Sequence, residues 1–198
     1  MKKHAPATLR NRDVILEVLR TQLPASGTVL EIAAGSGEHA VFLAQNLPNL
    51  DWQATDPAPD ALESISAYRE DARLPNLKAP LELDATTPNW PIDQAAAIVC
   101  INMVHISPWM ATEGAFAGAA RILSRPDAPL LFYGPYFEHD VEPAPSNVQF
   151  DAGLRERNPD WGIRRAEDMD RLASEHGFAR SARYEMPANN LTLVYRKA

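Results

Sequence analysis

Four short clusters in the sequence hold residue types that could act on a bound ligand. The first is Val29-Leu30-Glu31-Ile32-Ala33-Ala34-Gly35-Ser36-Gly37-Glu38. An apolar run passes into a turn of small residues and then into a helical pattern. Small side chains let a ligand approach the backbone, and the helix N-terminus adds free N–H groups. Taken alone, Gly35 to Ala40 also fits the dinucleotide pattern G-x-G-x-x-A, or a plain tight turn between strand and helix. Glu31 bears on that choice. A carboxylate just before the turn is poorly suited to a pyrophosphate and well suited to the cationic end of a ligand. S-adenosylmethionine, with an α-ammonium, a sulfonium and no phosphate, meets that condition.

The second cluster ends at Asp56, 21 residues after Gly35. A carboxylate there can accept hydrogen bonds from both hydroxyls of a ribose, a need that NAD and S-adenosylmethionine share. The competing reading is a helix N-cap or turn aspartate before Pro57. The third holds Asp84, able to accept from the exocyclic amine of an adenine or to sit on the surface of a loop. The fourth is Ile101-Asn102-Met103-Val104-His105, directly after the most apolar run of the chain. Farther on lie Tyr133, Tyr136, Phe137, Glu138 and His139, then Asn147 in a Pro- and Ser-rich stretch. His105 and Tyr136 are candidate bases, and Tyr133 and Asn147 are candidates for an acceptor pocket. Packing, core and capping roles are the competing readings of these four. No histidine pair has the i, i+4 spacing of a metal site, and no G-x-S-x-G element is present.

The periodicities supply the elements that must hold these groups. Apolar spacing predicts a helix ending at Leu23, beginning about Asp13 within the stretch Thr8–Leu23. Thr28–Ile32 reads as a buried strand, Glu38–Asn46 as a helix, Asp51–Thr55 as a strand and Pro59–Ala72 as a helix. Leu77–Leu83 is a weak strand, Ala95–Met103 a strong one. Trp109–Leu123 is a helix and Pro129–Tyr133 a strand. Such alternation means a parallel sheet with right-handed crossovers. Ala166–His176 is helical, capped by Gly177. Ala179–Met186 and Leu191–Arg196 then flank the turn signal Pro187-Ala188-Asn189-Asn190, so a β-hairpin closes the sheet. The expected fold is therefore α/β, a seven-stranded and mostly parallel sheet with an antiparallel last strand and helices on both faces. In such a sheet ligands bind beyond the carboxyl ends of the strands, where Gly35, Asp56, Asp84, Asn102, Met103 and His105 fall.

The chain has 198 residues, enough for one domain, and its formal net charge is −7. That balance gives no general attraction to phosphate backbones, and the arginines near position 160 are interleaved with acids. The single cysteine, Cys100, lies in an apolar run and reads as a buried thiol. No apolar run is long enough to span a bilayer, and no apolar segment follows the basic start. A cytoplasmic protein acting on small molecules is the expectation, with no nucleic-acid or membrane partner and an open oligomeric state.

The arrangement resembles the class I S-adenosylmethionine-dependent methyltransferases. Glu31-Ile32-Ala33-Ala34-Gly35-Ser36-Gly37, Asp56, Asp84, Asn102 and the closing hairpin carry the resemblance, although Ala33 stands where the signature has glycine. More closely, the chain is similar to an uncharacterised methyltransferase-like branch of that superfamily, a domain of unknown function. Pro6 and Arg10-Asn11, the Ala33–His39 turn and Tyr133-Gly134-Pro135-Tyr136 fit it over nearly the whole length. The resemblance implies a single Rossmann-like domain with S-adenosylmethionine as cofactor. Glu31, Ala33, Gly35, Gly37, Asp56, Asp84, Asn102 and Met103 would meet it. It also implies that the N-terminal segment and the loop after the fifth strand cap the site. An NAD-dependent oxidoreductase and a non-catalytic S-adenosylmethionine-binding module remain the alternatives.

Overall fold

A computed structural model describes all residues from 1 to 198. Its centre is a sheet of β1 (Gly27–Ile32), β2 (Leu50–Asp56), β3 (Leu81–Glu82), β4 (Ala97–Ile101), β5 (Leu130–Phe137), β6 (Arg164–Arg165), β7 (Phe178–Met186) and β8 (Asn190–Lys197). The order is β3-β2-β1-β4-β5-β8-β7, with the two-residue β6 beside the end of β5. β1 to β5 run parallel, and β8 alone lies antiparallel between β5 and β7. The seven-stranded path with one reversed strand is as expected, and β6 is an eighth piece that no periodicity marked.

Burial follows from composition. β4 is buried along its whole length and β1 along its last four residues, as strands covered on both faces must be. Two hydrophobic cores result. On one face, α1 (Pro6–Gln22), α2 (Glu38–Asn46) and α3 (Pro59–Ala72) pack Leu16, Leu19, Leu43 and Ile65 against Val29, Trp52 and Val99. On the other, α4 (Trp109–Ile122) and α6 (Ala166–Glu175) pack Phe116, Ala119, Met169 and Leu172 against Leu30, Ile98, Phe132 and Tyr195. Cys100 lies within this second core, and burial pushes its thiol up to about 12. No helix is long and apolar enough to cross a membrane.

Four boundaries differ from the periodicity, each for a local reason. α1 begins at Pro6, where proline occupies the first turn and needs no N–H partner. The expected strand at Leu77–Leu83 divides. Leu77 bridges Trp52, and pairing resumes only at Leu81, because Pro80 has no N–H to give. β5 runs on past Tyr133 to Phe137. Finally, Pro145–Arg157 is a helix, α5, where the apolar spacing predicts no element. Only Asn147 and Leu154 of it are buried, so it lacks the apolar stripe that marks a helix in sequence.

α4 is held close to the β3–β4 loop by two glycines one turn apart. A Cβ at Gly114 would overlap the carbonyl oxygen of Ala85, and one at Gly118 would overlap the Trp90 ring. This approach fixes the loop that carries Asp84. Gly114→Ala is expected to destabilise the protein by about 1–3 kcal/mol, since neither backbone can yield cheaply. Urea unfolding checks it, and an unchanged midpoint would show that α4 and the loop move apart freely.

Candidate functional site

The glycine turn after β1 owes its shape to three left-handed residues. Ala33, Gly35 and Gly37 have φ of 56°, 58° and 87°. Glycine adopts this region freely, whereas alanine is strained there, so Ala33 sits where a glycine would cost less. At Gly35 a Cβ would meet nothing within 4 Å, so the backbone there faces open space. At Gly37 a Cβ would press on the backbone of Ile65, so that glycine serves the approach of α3.

The open space is a cavity of about 430 Å³ beyond the carboxyl ends of β1, β2 and β4. Ile32, Ala33 and Gly35 line it from the first strand and turn, Asp56 and Pro57 from the second. Leu83 to Thr86 close one side, and Asn102, Met103, Ile106 and Pro108 the other. It stands where the chain leaves β1 toward β2 on one side while β4 flanks the other, the switch point of an open sheet. Asp56 is pinned: Oδ2 accepts the Gly35 N–H at 2.9 Å and Oδ1 the Ala58 N–H at 3.0 Å. Asp84 Oδ1 accepts from both the N–H and the hydroxyl of Thr86, each at 2.8 Å. Asp84 itself is exposed at the cavity wall.

A second cavity, of about 460 Å³, adjoins the first. Asn102 lines both, and no other residue does. Asn102 has φ 62°, a left-handed conformation that asparagine tolerates better than most residues. The second cavity is walled by Asn102, His105, Tyr133 and Pro135, by Ala7, Arg10 and Asn11 of α1, by Phe150 of α5, and by Pro187, Ala188 and Asn190 of the closing hairpin. The His105 ring meets Phe150 edge to face at 5.6 Å. Gly134 leaves it room, since a Cβ there would lie 3.3 Å from His105 Nδ1. Burial, together with the nearby charges of Arg164 and Arg157, lowers its pKa to about 4, so His105 is neutral at pH 7. Tyr133 is raised above its usual range by burial, against the opposing effect of the Asn11 amide. Asn11 Oδ1 in turn meets His39 Nε2 at 2.8 Å, so a buried polar chain joins α1, α2 and β5.

The structure thus brings Ala33, Gly35, Asp56, Asp84, Asn102 and Met103 to one cavity and His105 and Tyr133 to its neighbour. Four expected positions lie elsewhere. Glu31 is 1% exposed and lines neither cavity; its Oε2 accepts the Trp52 Nε1–H at 2.6 Å beneath the turn. Gly37 faces α3, as above. Tyr136 stands three residues after Tyr133, hence on the opposite face of β5, in the core with Cys100. Its hydroxyl has no partner and burial raises it well above its ordinary value, so it cannot take a proton at neutral pH. Asn147 sits away from the second cavity and donates from Nδ2 to the Asn189 carbonyl at 3.0 Å, tying α5 to the hairpin. Phe150, one turn later on the same helix, lines the second cavity instead.

The first residues of the chain lie over the glycine turn. Glu38 accepts the Ala5 N–H at 2.7 Å, meets His4 Nδ1 at 2.8 Å and accepts the Ser36 hydroxyl at 3.0 Å. Burial would raise the Glu38 carboxyl, but these partners outweigh it and hold the pKa below its ordinary value. Lys3 adds a backbone N–H to the Ser64 hydroxyl at 2.8 Å. Arg10, Asn11, Phe150 and Asn190 were not marked as site residues by sequence. Arg10-Asn11 carried a signal as a motif, whereas Phe150 and Asn190 reach the site only through tertiary closure.

Solved structures share this architecture. The mitomycin 7-O-methyltransferase superposes with a TM-score of 0.80 at 17% identity, over 97% of this chain and 54% of that one. An O-methyltransferase family 2 protein from Planctomyces limnophilus, solved with apigenin, gives 0.81 at 14% identity, over 97% and 58%. A methyltransferase of calicheamicin biosynthesis in its SAH-bound form gives 0.72 at 17% identity, over 94% and 54%. The chain spans little more than half the length of these structures. The fold is that of the class I S-adenosylmethionine-dependent methyltransferases. At the level of sequence, the family described as "Protein of unknown function (DUF938)" matches residues 2–197, and the chain belongs to it.

Proposed function

We propose that this protein is an S-adenosylmethionine-dependent methyltransferase acting on a small molecule. The observation that carries the reading is the pair of cavities meeting only at Asn102. One is built for a nucleoside and the other opens onto a histidine. The residues of the first fit the cofactor: Gly35 leaves its front open, Asp56 stands beside it at the end of β2, and the exposed Asp84 follows the neighbouring β3 on the same side of the cavity. Asp56 would hold the ribose and Asp84 the adenine amine. When bound, S-adenosylmethionine supplies an electrophilic methyl group. Everything else falls to positioning, which can supply most of the acceleration of such a reaction. Asn102 and His105 orient the acceptor, and Tyr133 and Phe150 wall it in. His105, neutral and buried, accepts a hydrogen bond from an acceptor hydroxyl and takes its proton only weakly, because its pKa lies below the working pH. A protein of net charge −7 offers little general attraction to nucleic acid, which supports a small-molecule acceptor.

Thermal unfolding with added ligands tests this. S-adenosylhomocysteine should raise the unfolding temperature and NAD should not, since a ligand of the native state stabilises it by mass action. Asp56→Ala should weaken S-adenosylhomocysteine binding by about 1–3 kcal/mol by calorimetry, losing an acceptor together with the hold on Gly35. Stabilisation by NAD alone would replace the methyltransferase by an oxidoreductase. Tight S-adenosylhomocysteine binding with unchanged affinity in the folded Asp56→Ala variant would reduce Asp56 to a turn residue.

A further inference from the structure

The lining of the second cavity is lopsided in charge. The chain has 26 acidic residues against 19 lysines and arginines, yet no carboxylate lines this cavity. One cation does, Arg10. Around it on the N-terminal segment and α1, Lys2, Lys3, Arg12 and Arg20 each have an acid within 4 Å: Asp71, Asp60, Asp13 and Glu17. Arg10 has none and is exposed. A guanidinium at a cavity mouth, unmatched in an acidic protein, is a planar fork fitted to a carboxylate. The remaining polar groups are neutral: the amides of Asn11, Asn102 and Asn190, the Tyr133 hydroxyl and the imidazole of His105. The apolar walls are flat, made by Phe150, Tyr133, Pro135 and Pro187. Charge and shape therefore specify one kind of occupant.

We infer that the second cavity binds a small aromatic carboxylate, its ring against Phe150 and Pro135 and its carboxylate on Arg10, with a hydroxyl directed at Asn102 and His105. The inference rests on the proposed methyltransferase function only for the fate of that hydroxyl; binding of the acid stands on the cavity alone. Such an anion also suits the surroundings of His105. Arg164 and Arg157 hold positive potential there, and an acid entering beside them is attracted, not repelled.

The probes are 4-hydroxybenzoate, its neutral methyl ester and 4-hydroxybenzylamine, titrated by NMR into the full chain with and without S-adenosylhomocysteine. The acid should bind at least tenfold more tightly than the ester, and the amine should not bind. Arg10→Gln should remove most of the preference for the acid over the ester, leave S-adenosylhomocysteine affinity unchanged and reduce the dependence of acid binding on salt. Phe150→Ala should weaken acid and ester alike. Equal binding of acid and ester, an Arg10→Gln variant that keeps the preference, or no binding of any probe would each overturn the inference. Failure of S-adenosylhomocysteine to bind, with the acid still held by Arg10, would instead sink the cofactor assignment and leave the anion site standing.

Discussion

Acidification from pH 7.5 to 4.5 is expected to remove a large part of the stability of this protein through His39 and His105. Both are buried and both have pKa values lowered from 6.5 to about 4, chiefly by burial. For His39 the charge of Glu38 opposes that shift and Arg12 adds to it. A histidine held neutral in the folded state binds fewer protons there than in the unfolded chain between pH 6.5 and 4. Stability therefore falls as pH drops through that window, by about 3 kcal/mol per histidine at the limit. Urea unfolding at the two pH values measures it. His39→Gln, whose amide can still donate to Asn11, should flatten the profile by about 2–3 kcal/mol at pH 4.5. Glu31 acts in the opposite direction over part of this window, so the variant isolates the effect: a variant profile that copies the wild type would mean that His39 is protonated in the fold or reached by water.

Most of the fold could be read from periodicity because parallel strands covered on both sides must be apolar throughout. Ala97–Ile101 is such a run, and its reading needed no tertiary knowledge. α5 shows where that logic fails. A helix burying only Asn147 and Leu154 is held by its ends and by the hairpin, and neither leaves a periodic trace. The weak third strand failed differently: Pro80 interrupts its ladder, so Leu77 and Leu81 pair with β2 as separate pieces.

The candidate site divides along the same line. Gly35, Asp56, Asp84 and Asn102 converge because each follows a parallel strand, and strands in one sheet end on one side. The second cavity depends on long-range closure. Its walls come from residues 7 to 190, and α1 contributes Arg10 and Asn11 from the far end of the chain. Tyr133 and Tyr136 were separable only with the full extent of β5, since a spacing of three puts them on opposite faces. Glu31 is the instructive case. Its place before the turn suggested a cationic ligand, yet the side chain points below the turn to Trp52. The alternation of β1 aims Val29 and Glu31 to one face, and that face is core.

That buried position sets the sign of the remaining prediction. Burial raises the Glu31 pKa to about 7, the Trp52 hydrogen bond opposes the shift, and the charge of Asp56 adds to it. The folded state thus binds more protons at Glu31 than the unfolded chain between pH 4.5 and 7. Stability from this group is highest below 4.5 and is lost as pH rises through 7, opposite in direction to the two histidines. Glu31→Gln keeps an oxygen for the Trp52 N–H and removes the charge. At pH 5 the variant should match the parent closely. At pH 8 it should be more stable by up to about 3 kcal/mol, because the cost of ionising a buried carboxyl is gone. Denaturant unfolding of both proteins at the two pH values decides the matter. Equal stability at pH 8 would require an ionised Glu31 fully compensated by Trp52, and a less stable variant would mean that the carboxylate supports the fold. The combined profile then has a physical shape: histidines weaken the fold on the acid side, Glu31 weakens it on the alkaline side, and the region near pH 6.5 lies between them.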